Sequence, residues 1–418
     1  MPSCPTPSRR HGFAVAVAAT VLLMVAASAP SPFYPQLAEQ LRLLPVATTG
    51  IFAVYAFTML TALLVAGSLS DRVGRRPVVT VGSLLLAGSL LLFWQSGSLG
   101  MLLTARAVQG FAAGLLIPAL SAMVVDFTPT RATDTASLWN TMSAMTGLGV
   151  GAIVAALVLD TVTNPTAIVF GVLAALFILI AAGVWAVPDS SPTPDSGVSR
   201  GWGRVSVPSH VRHRLLIAVP AIIAGWATNG LFLALGPAVM KSEFTAATHV
   251  QQAITVPLFA VSGIVAAILL HRRSPRVVSV YGTAALGIGT ALSMAALAVH
   301  ALPAYLVAVA VVGSGFGTAF MGVLQTLMPQ IRATERAAVM AIIYTVSYLA
   351  FGVPTIIAGL LVPVISLRGA MTTVGGVIVV LCLIATVTRI RVPDRPHPVL
   401  AAPEPGAATN DRREGVMR

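Results

Sequence analysis

Gly67-Ser-Leu-Ser-Asp71-Arg72-Val-Gly74-Arg75-Arg76-Pro77 is the most chemically distinct string in the chain. Glycine, acid, base and proline are concentrated there between two apolar blocks, near residues 47–68 and 77–96. Twenty residues of helix rise about 30 Å, the thickness of a bilayer's hydrocarbon core. The string therefore reads as a short connection at a membrane surface, and each of its residue types has a use there. Gly67 lets a helix end approach its neighbour closely, and Gly74 is suited to the positive φ of a tight turn. Asp71 suits the partial positive charge of a helix N-terminus. Arg72, Arg75 and Arg76 suit carboxylates or lipid phosphates, and Pro77 suits the first turn of the next helix.

Outward from that string the whole chain reads the same way. It is 56% hydrophobic and 9% charged over 418 residues, whereas a soluble globular chain carries about 25% charged residues. Apolar blocks fall near 12–30, 47–68, 77–96, 100–125, 136–159 and 165–187, then near 214–238, 249–271, 277–299, 303–328, 336–362 and 368–390. The expected fold is an all-α polytopic membrane protein of twelve transmembrane helices in two pseudo-symmetric six-helix bundles. Residues 1–188 form the first bundle and 214–390 the second. Residues 189–213 form a Pro-, Ser-, Gly- and Arg-rich cytoplasmic linker, and 391–418 a disordered cytoplasmic tail. Arg9-Arg10, an apolar run and Ala27-Ser-Ala-Pro30 have the order of a secretory signal. With eleven further spans behind it, this segment is read as an uncleaved first helix.

Charge placement tests the count. All Lys and Arg except Arg42, Lys241, Arg368 and Arg106 fall in segments that twelve spans put on the side of both termini. Cytoplasmic loops retain positive charge, so both termini are expected in the cytoplasm. The net charge of +12 is scattered in short clusters without an aromatic-basic stripe, which argues against a nucleic-acid partner. Cys4 and Cys382 form no disulfide framework. No P-loop, H-E-x-x-H, G-x-S-x-G or paired metal-ligand spacing is present, so neither enzyme, cofactor nor metal site is expected. Abundant Ala, Val, Gly and Arg beside a single Lys is the bias of a GC-rich bacterial genome. The expected location is therefore the bacterial cytoplasmic (inner) membrane.

A shift of about 200 residues superimposes Gly82 on Gly282, and brings Gly110-Phe111 near Gly315-Phe316 and Arg131-Ala-Thr near Arg332-Ala-Thr. Two parallel halves with a cavity between them at mid-membrane are the expected outcome. The Gly67–Pro77 string also resembles the signature of the major facilitator superfamily, commonly written G-x-L-a-D-r-x-G-r-k-x-x-l. That resemblance implies a gate latch that holds the two halves together on the cytoplasmic side in the outward-open state. Asp71 would be its acid, Arg72 and Arg75 its charge partners, and Gly67, Gly74 and Arg76 the rest of the motif. The second-half counterpart, Leu270-His-Arg272-Arg273-Ser-Pro-Arg276, keeps the basic residues and lacks the acid and both glycines. The latch is expected to be one-sided.

None of the 13 acidic residues falls at mid-span, which argues against obligate recognition of organic cations. Arg106 does fall inside a span, where a charge costs about 2.5–3.5 kcal/mol to insert. Arg106-Ala-Val-Gln109-Gly110-Phe-Ala-Ala-Gly114 resembles the superfamily's R-x-x-Q-G fourth-helix motif, which implies that Arg106 is linked to proton transfer and Gln109 orients it. An Arg106 that snorkels to the outer interface is the alternative. Gly147-Leu-Gly149-Val-Gly151 has the glycines of the drug/proton antiporters' fifth helix without their Gly-Pro pair. Polar and aromatic groups inside spans are Tyr55, Asn140, Trp226, Asn229, Gln325, Tyr344 and Tyr348. Among them Asn140, Trp226, Asn229 and Tyr344 are the candidates for a substrate cavity.

The functional expectation is a monomeric secondary transporter with a small-molecule substrate, protons and the lipid bilayer as partners. It would export hydrophobic or amphipathic compounds in exchange for protons, or else import one specific metabolite, an anion paired with Arg106 being one form of that alternative. If Asp71 is a latch residue, Asp71→Asn slows the transport cycle and leaves substrate affinity within a few-fold. Turnover and equilibrium binding of a transported substrate measure the two separately, and a large loss of affinity refutes the assignment.

Overall fold

The computed structural model describes residues 7–66, 69–128, 133–188, 209–328, 331 and 336–392, and every regular element within them is helical. The first half contains α1 (Pro7–Ser28), a 3-10 turn at Ser31–Phe33, α2 (Tyr34–Gln40), α3 (Pro45–Ala66) and α4 (Leu69–Val73). It continues with α5 (Arg75–Trp94), α6 (Leu99–Phe127), α7 (Thr133–Thr161) and α8 (Pro165–Gly183). The second half contains α9 (Ser209–Glu243), α10 (His249–Ala253), α11 (Thr255–Leu270), α12 (Pro275–Ala298), α13 (Leu302–Leu327) and α14 (Arg336–Arg391).

Ten helices among the described residues are long and apolar enough to cross a bilayer. The last of them, Val339–Arg391, is 53 residues long. It breaks where Ile365 (φ −127°, ψ 17°) and Ser366 (φ 70°, ψ 165°) leave helical geometry, so α14 makes two crossings. The 16-residue Thr255–Leu270 supplies a further crossing, preceded by α10. The break between α10 and α11 has a local cause. Pro257 has no N–H for the carbonyl four residues back, on Ala253, where α10 ends. Twelve crossings result, as expected from the apolar blocks.

Helix starts follow the sequence. Ser98 accepts from the backbone N–H of Met101 (3.3 Å), and Thr248 forms a reciprocal capping box with Gln251. Gly74 adopts φ 102°, ψ 156° between α4 and α5, a conformation that favours glycine. Pro77 falls in the first turn of α5. The string read as a loop thus holds the five-residue helix α4 and a one-residue joint. Gly67 and the side chains of Asp71 and Arg72 lie outside the described residues.

Equivalent helices make equivalent contacts in the two halves. In the first half α6 touches α1, α3 and α5, while α5 touches α8 and α1 touches α7. In the second half α13 touches α9, α11 and α12, and α14 touches both α9 and α12. Glycine makes the closest of these approaches possible. A Cβ on Gly82 would lie 2.7 Å from Leu116, and one on Gly282 would lie 2.5 Å from the Cα of Ala319. The repeat differs in detail from the sequence match. Gly110 and Gly114 face α3, whereas Gly315 faces α12 through Leu286. The residues that face α11 as Gly110 and Gly114 face α3 are Gly313 and Gly317. Nearby glycines on α13 line two different seams, and sequence alignment alone does not separate them.

The halves meet along α3 with α14 and α7 with α11. Among the described residues, three polar contacts between the halves lie on the face opposite the Gly67–Pro77 string. Ser31 Oγ donates to the carbonyl of Leu233 (2.9 Å), and the Lys241 ammonium pairs with Glu39. Asp160 accepts from the backbone N–H groups of His249 and Val250 (3.0 Å each) and meets His249 Nδ1 at 2.7 Å. Lys241 and Arg368 depart from the charge asymmetry of the sequence, and each has an acidic partner on this face. Arg368 Nη2 lies 2.8 Å from Glu243.

Gly359 of α14 sits in the seam with α3, where a Cβ would approach Thr49 Oγ1 to 1.9 Å and Thr49 Cβ to 2.8 Å. Gly359→Ala is expected to destabilise the purified protein by about 1–3 kcal/mol through overpacking. Thr49→Ala should restore part of the loss, because it removes the nearest atom and leaves the Cβ. Thermal unfolding of the single and double variants checks this.

Candidate functional site: a caged arginine and an aromatic seam

Arg106 is 1% exposed, so it does not snorkel. Its Nε–H donates to the Tyr34 hydroxyl (2.7 Å), and its Nη1 donates to Gln109 Oε1 (2.5 Å) and to the carbonyl of Ala27 (3.3 Å). Gln109 in turn donates through Nε2 to the carbonyl of Ala26 (2.9 Å). The i, i+3 spacing puts Arg106 and Gln109 on one face of α6, and both reach the last turn of α1. No carboxylate takes part in these bonds.

Four rings complete the cage. The guanidinium carbon lies 5.2 Å from the centroid of Phe52, 5.4 Å from Tyr55 and Phe93, and 5.5 Å from Tyr34. Gly110 contributes to the closure. A Cβ there would strike Thr58 Oγ1 at 2.2 Å and the carbonyl of Tyr55 at 2.3 Å, so only glycine lets α6 approach the stretch of α3 that carries Tyr55. Cation–π contacts contribute about 0.5–1 kcal/mol each, or more when desolvated. Hydrogen bonds from a charged donor contribute about 1.5–3 kcal/mol each. Together they exceed the insertion cost of about 2.5–3.5 kcal/mol. Nη2 alone is buried without a partner.

A second cluster lies across the α9, α13 and α14 seam. The Trp226 ring is 4.9 Å from Tyr348, 5.9 Å from Phe320 and 6.2 Å from Phe316, and Tyr344 stacks on Tyr348 at 6.2 Å. Trp226 Nε1 is buried without a hydrogen-bond partner. Tyr55 on α3 and Tyr344 and Tyr348 on α14 belong to one continuous core, and α14 packs on α3 where the halves meet.

The chain's major facilitator match spans residues 16–352 and 217–414. It belongs to the major facilitator superfamily. Its apolar helices make it a multi-pass membrane protein of that superfamily, and it spans about a fifth of the length of one relative, MdtL. The chain is 41% identical over 80 residues to the multidrug resistance protein MdtL of Shewanella sp. (strain ANA-3), a match covering 19% of the chain and 20% of that relative. It is 28% identical over 120 residues to multidrug resistance protein 1 of Bacillus subtilis (strain 168), covering 29% and 31%. Two solved structures share the fold. One is a bacterial homologue of the human lysosomal transporter Spinster, inward-facing and unoccupied (TM-score 0.74, 12% identity, 94% of this chain and 100% of that one). The other is the human organic anion transporter MFSD10 (TM-score 0.69, 15% identity, 91% and 100%).

Within this superfamily fold the sequence candidates separate. Trp226 and Tyr344 come together at the seam, with Asn229 half-buried at i+3 from Trp226 on α9. Asn140 instead donates to Ser121 Oγ (3.0 Å), a bond between α7 and α6 within the first half. In the Gly67–Pro77 string, Arg75 donates through Nε to Asp126 at the end of α6 (2.9 Å), and Arg76 donates to the carbonyl of Val187 (2.9 Å). The second bond ties the start of α5 to the segment after α8. Sequence reading missed Tyr34, which lies in a segment taken for a connection. It also missed Phe52, Phe93, Phe316 and Phe320, whose apolar rings look like any other core residue until a charge or an indole is placed beside them.

Gln109→Leu removes both the acceptor on Arg106 and the donor on Ala26, and is expected to cost about 1.5–3 kcal/mol. Gln109→Glu, which supplies a carboxylate to the same nitrogen, should be the milder change. Thermal midpoints in detergent or nanodiscs compare them, and a Gln109→Leu protein as stable as the parent would contradict this account of how the charge is held.

Proposed function

We propose that the protein couples proton entry to the efflux of hydrophobic or amphipathic small molecules by alternating access. The observation that carries this reading is the aromatic seam between α9, α13 and α14. It offers stacking surfaces and one uncommitted donor, Trp226 Nε1, beside the contact between the halves, with no acidic group to demand a cationic substrate. Stacking surfaces accept many ligands because they impose little directional constraint. The partial multidrug-resistance relatives agree with that substrate class.

Both termini are placed in the cytoplasm on the strength of the charge asymmetry, with residues 1–188 and 214–390 as the two moving bodies. On that orientation the bonds of Ser31, Glu39 and Asp160 seal the outer face, which supports an inward-open resting state. Arg106 is the candidate proton-linked group on the strength of its resemblance to the R-x-x-Q-G motif, and its hydrogen bonds among the described residues go to neutral oxygens.

Uptake of an anionic metabolite is the second reading, favoured by the uncommitted Nη2 of Arg106. Proteoliposomes loaded with a pH-sensitive dye separate the two. Efflux coupling is expected to give proton movement when amphipathic drugs are added, weakened in Trp226→Ala. Proton movement only with small carboxylates, at an unchanged rate in Trp226→Ala, would replace the first reading by the second.

A further inference from the structure

One edge of the Arg106 guanidinium is held by a residue that also belongs to the contact between the halves. In any guanidinium the Nε and Nη2 hydrogens lie side by side on one edge, spaced to meet the two oxygens of a carboxylate. Here Nε is occupied by the Tyr34 hydroxyl (2.7 Å), a single neutral oxygen, and Nη2 is buried with no partner. The edge is half used.

Tyr34 begins α2, in the segment between the first two spans, and that segment is fastened to the second half on both sides of it. Ser31, three residues before, donates to the carbonyl of Leu233 (2.9 Å), and Glu39, five residues after, pairs with Lys241. The Ser31–Phe33 turn touches α9 and α10 of the second half as well as α7 of the first. Rings continue the link into the first half. Phe33 lies 5.0 Å from Phe170, Phe170 lies 5.3 Å from Phe93, and Tyr34 lies 5.0 Å from Phe52, so two routes lead from this strap to the rings of the arginine cage.

Separation of the halves on this face breaks the Ser31 and Glu39 bonds and frees the strap that carries Tyr34. We propose that Tyr34 is a displaceable cap, and that its withdrawal turns the Nε–Nη2 edge of Arg106 into a two-pronged site for the carboxylate of an amphipathic substrate. The proposal deepens the transport reading above by naming the substrate class as amphipathic monocarboxylates. It also makes Tyr34 a positioning residue that joins opening of the face to exposure of the buried charge.

Equilibrium binding to the detergent-purified full chain tests it without presuming direction or proton coupling, so a failed flux assay leaves this test intact. The probes are octanoate and its uncharged analogue octanamide. Tyr34→Phe keeps the ring and removes the cap, and should bind octanoate roughly tenfold more tightly with octanamide unchanged. Arg106→Lys keeps the charge and loses the paired edge, and should abolish the preference for octanoate. In a variant with Cys4 and Cys382 replaced by serine, a disulfide between Glu39→Cys and Lys241→Cys should hold the strap down and suppress octanoate binding until it is reduced. The proposal is overturned if Tyr34→Phe binds both probes as the parent does, if Arg106→Lys retains the preference, or if the cross-linked protein binds octanoate unimpaired. Thermal midpoints of each variant separate a lost site from a lost fold.

Discussion

A buried cation whose hydrogen bonds among the described residues go only to neutral oxygens, within a span that crosses lipid, is the constraint around which the first half is arranged. Arg106 needs donors answered and charge neutralised within the bundle, and α6 alone provides neither. The carbonyls of Ala26 and Ala27 come from the last turn of α1, the rings come from α3 and α5, and the phenol comes from α2. Each contributor must be close, and the glycines of α6 permit it. At Gly110 and Gly114 the nearest atoms a side chain would meet include the backbone carbonyls of Tyr55 and Met59. Helix packing in lipid depends on such close approach because no hydrophobic effect drives apolar helices together there.

The same economy of small residues recurs in the second half, at Gly313 against Phe259 and Gly317 against Gly263. No buried arginine occupies the corresponding place. Val309 stands there, and further along α13 the Phe316 and Phe320 rings pack with Trp226 and Tyr348 by edge and face contacts. The two halves therefore share a backbone plan and differ in chemistry. One stores a charge and the other presents a stacking surface, and they adjoin where α3 packs on α14.

Much of this was legible in the chain. The spans follow from apolar runs of bilayer length, and the positive φ at Gly74 from a lone glycine before a basic helix start, whereas the stretch 249–271 read as one span and its break before Pro257 was missed. Arg106 and Gln109 stood out as polar residues at helical spacing where the surroundings are apolar. Asn140 was equally conspicuous for the same reason, and its bond to Ser121 shows why conspicuousness is a weak guide. A polar group inside a span needs a partner, and pattern alone does not say whether the partner is a ligand or the next helix. Tyr34 illustrates the converse, since it is buried although it lies in a stretch read as a connection between two spans.

By itself the sequence determined how many times the chain crosses the membrane, which loops bear charge, and that one charge falls within a span, because these depend on transfer energies that are local to each segment. Tertiary structure decided what Arg106 touches, which glycines line which seam, and that residues 31–40 bind both halves at once. Those are relations between segments far apart in the chain, set by how helices settle against one another. In an apolar solvent many faces of a helix are equally greasy, so periodicity leaves the choice of partner face open, and only close packing and the pairing of the few polar atoms select it.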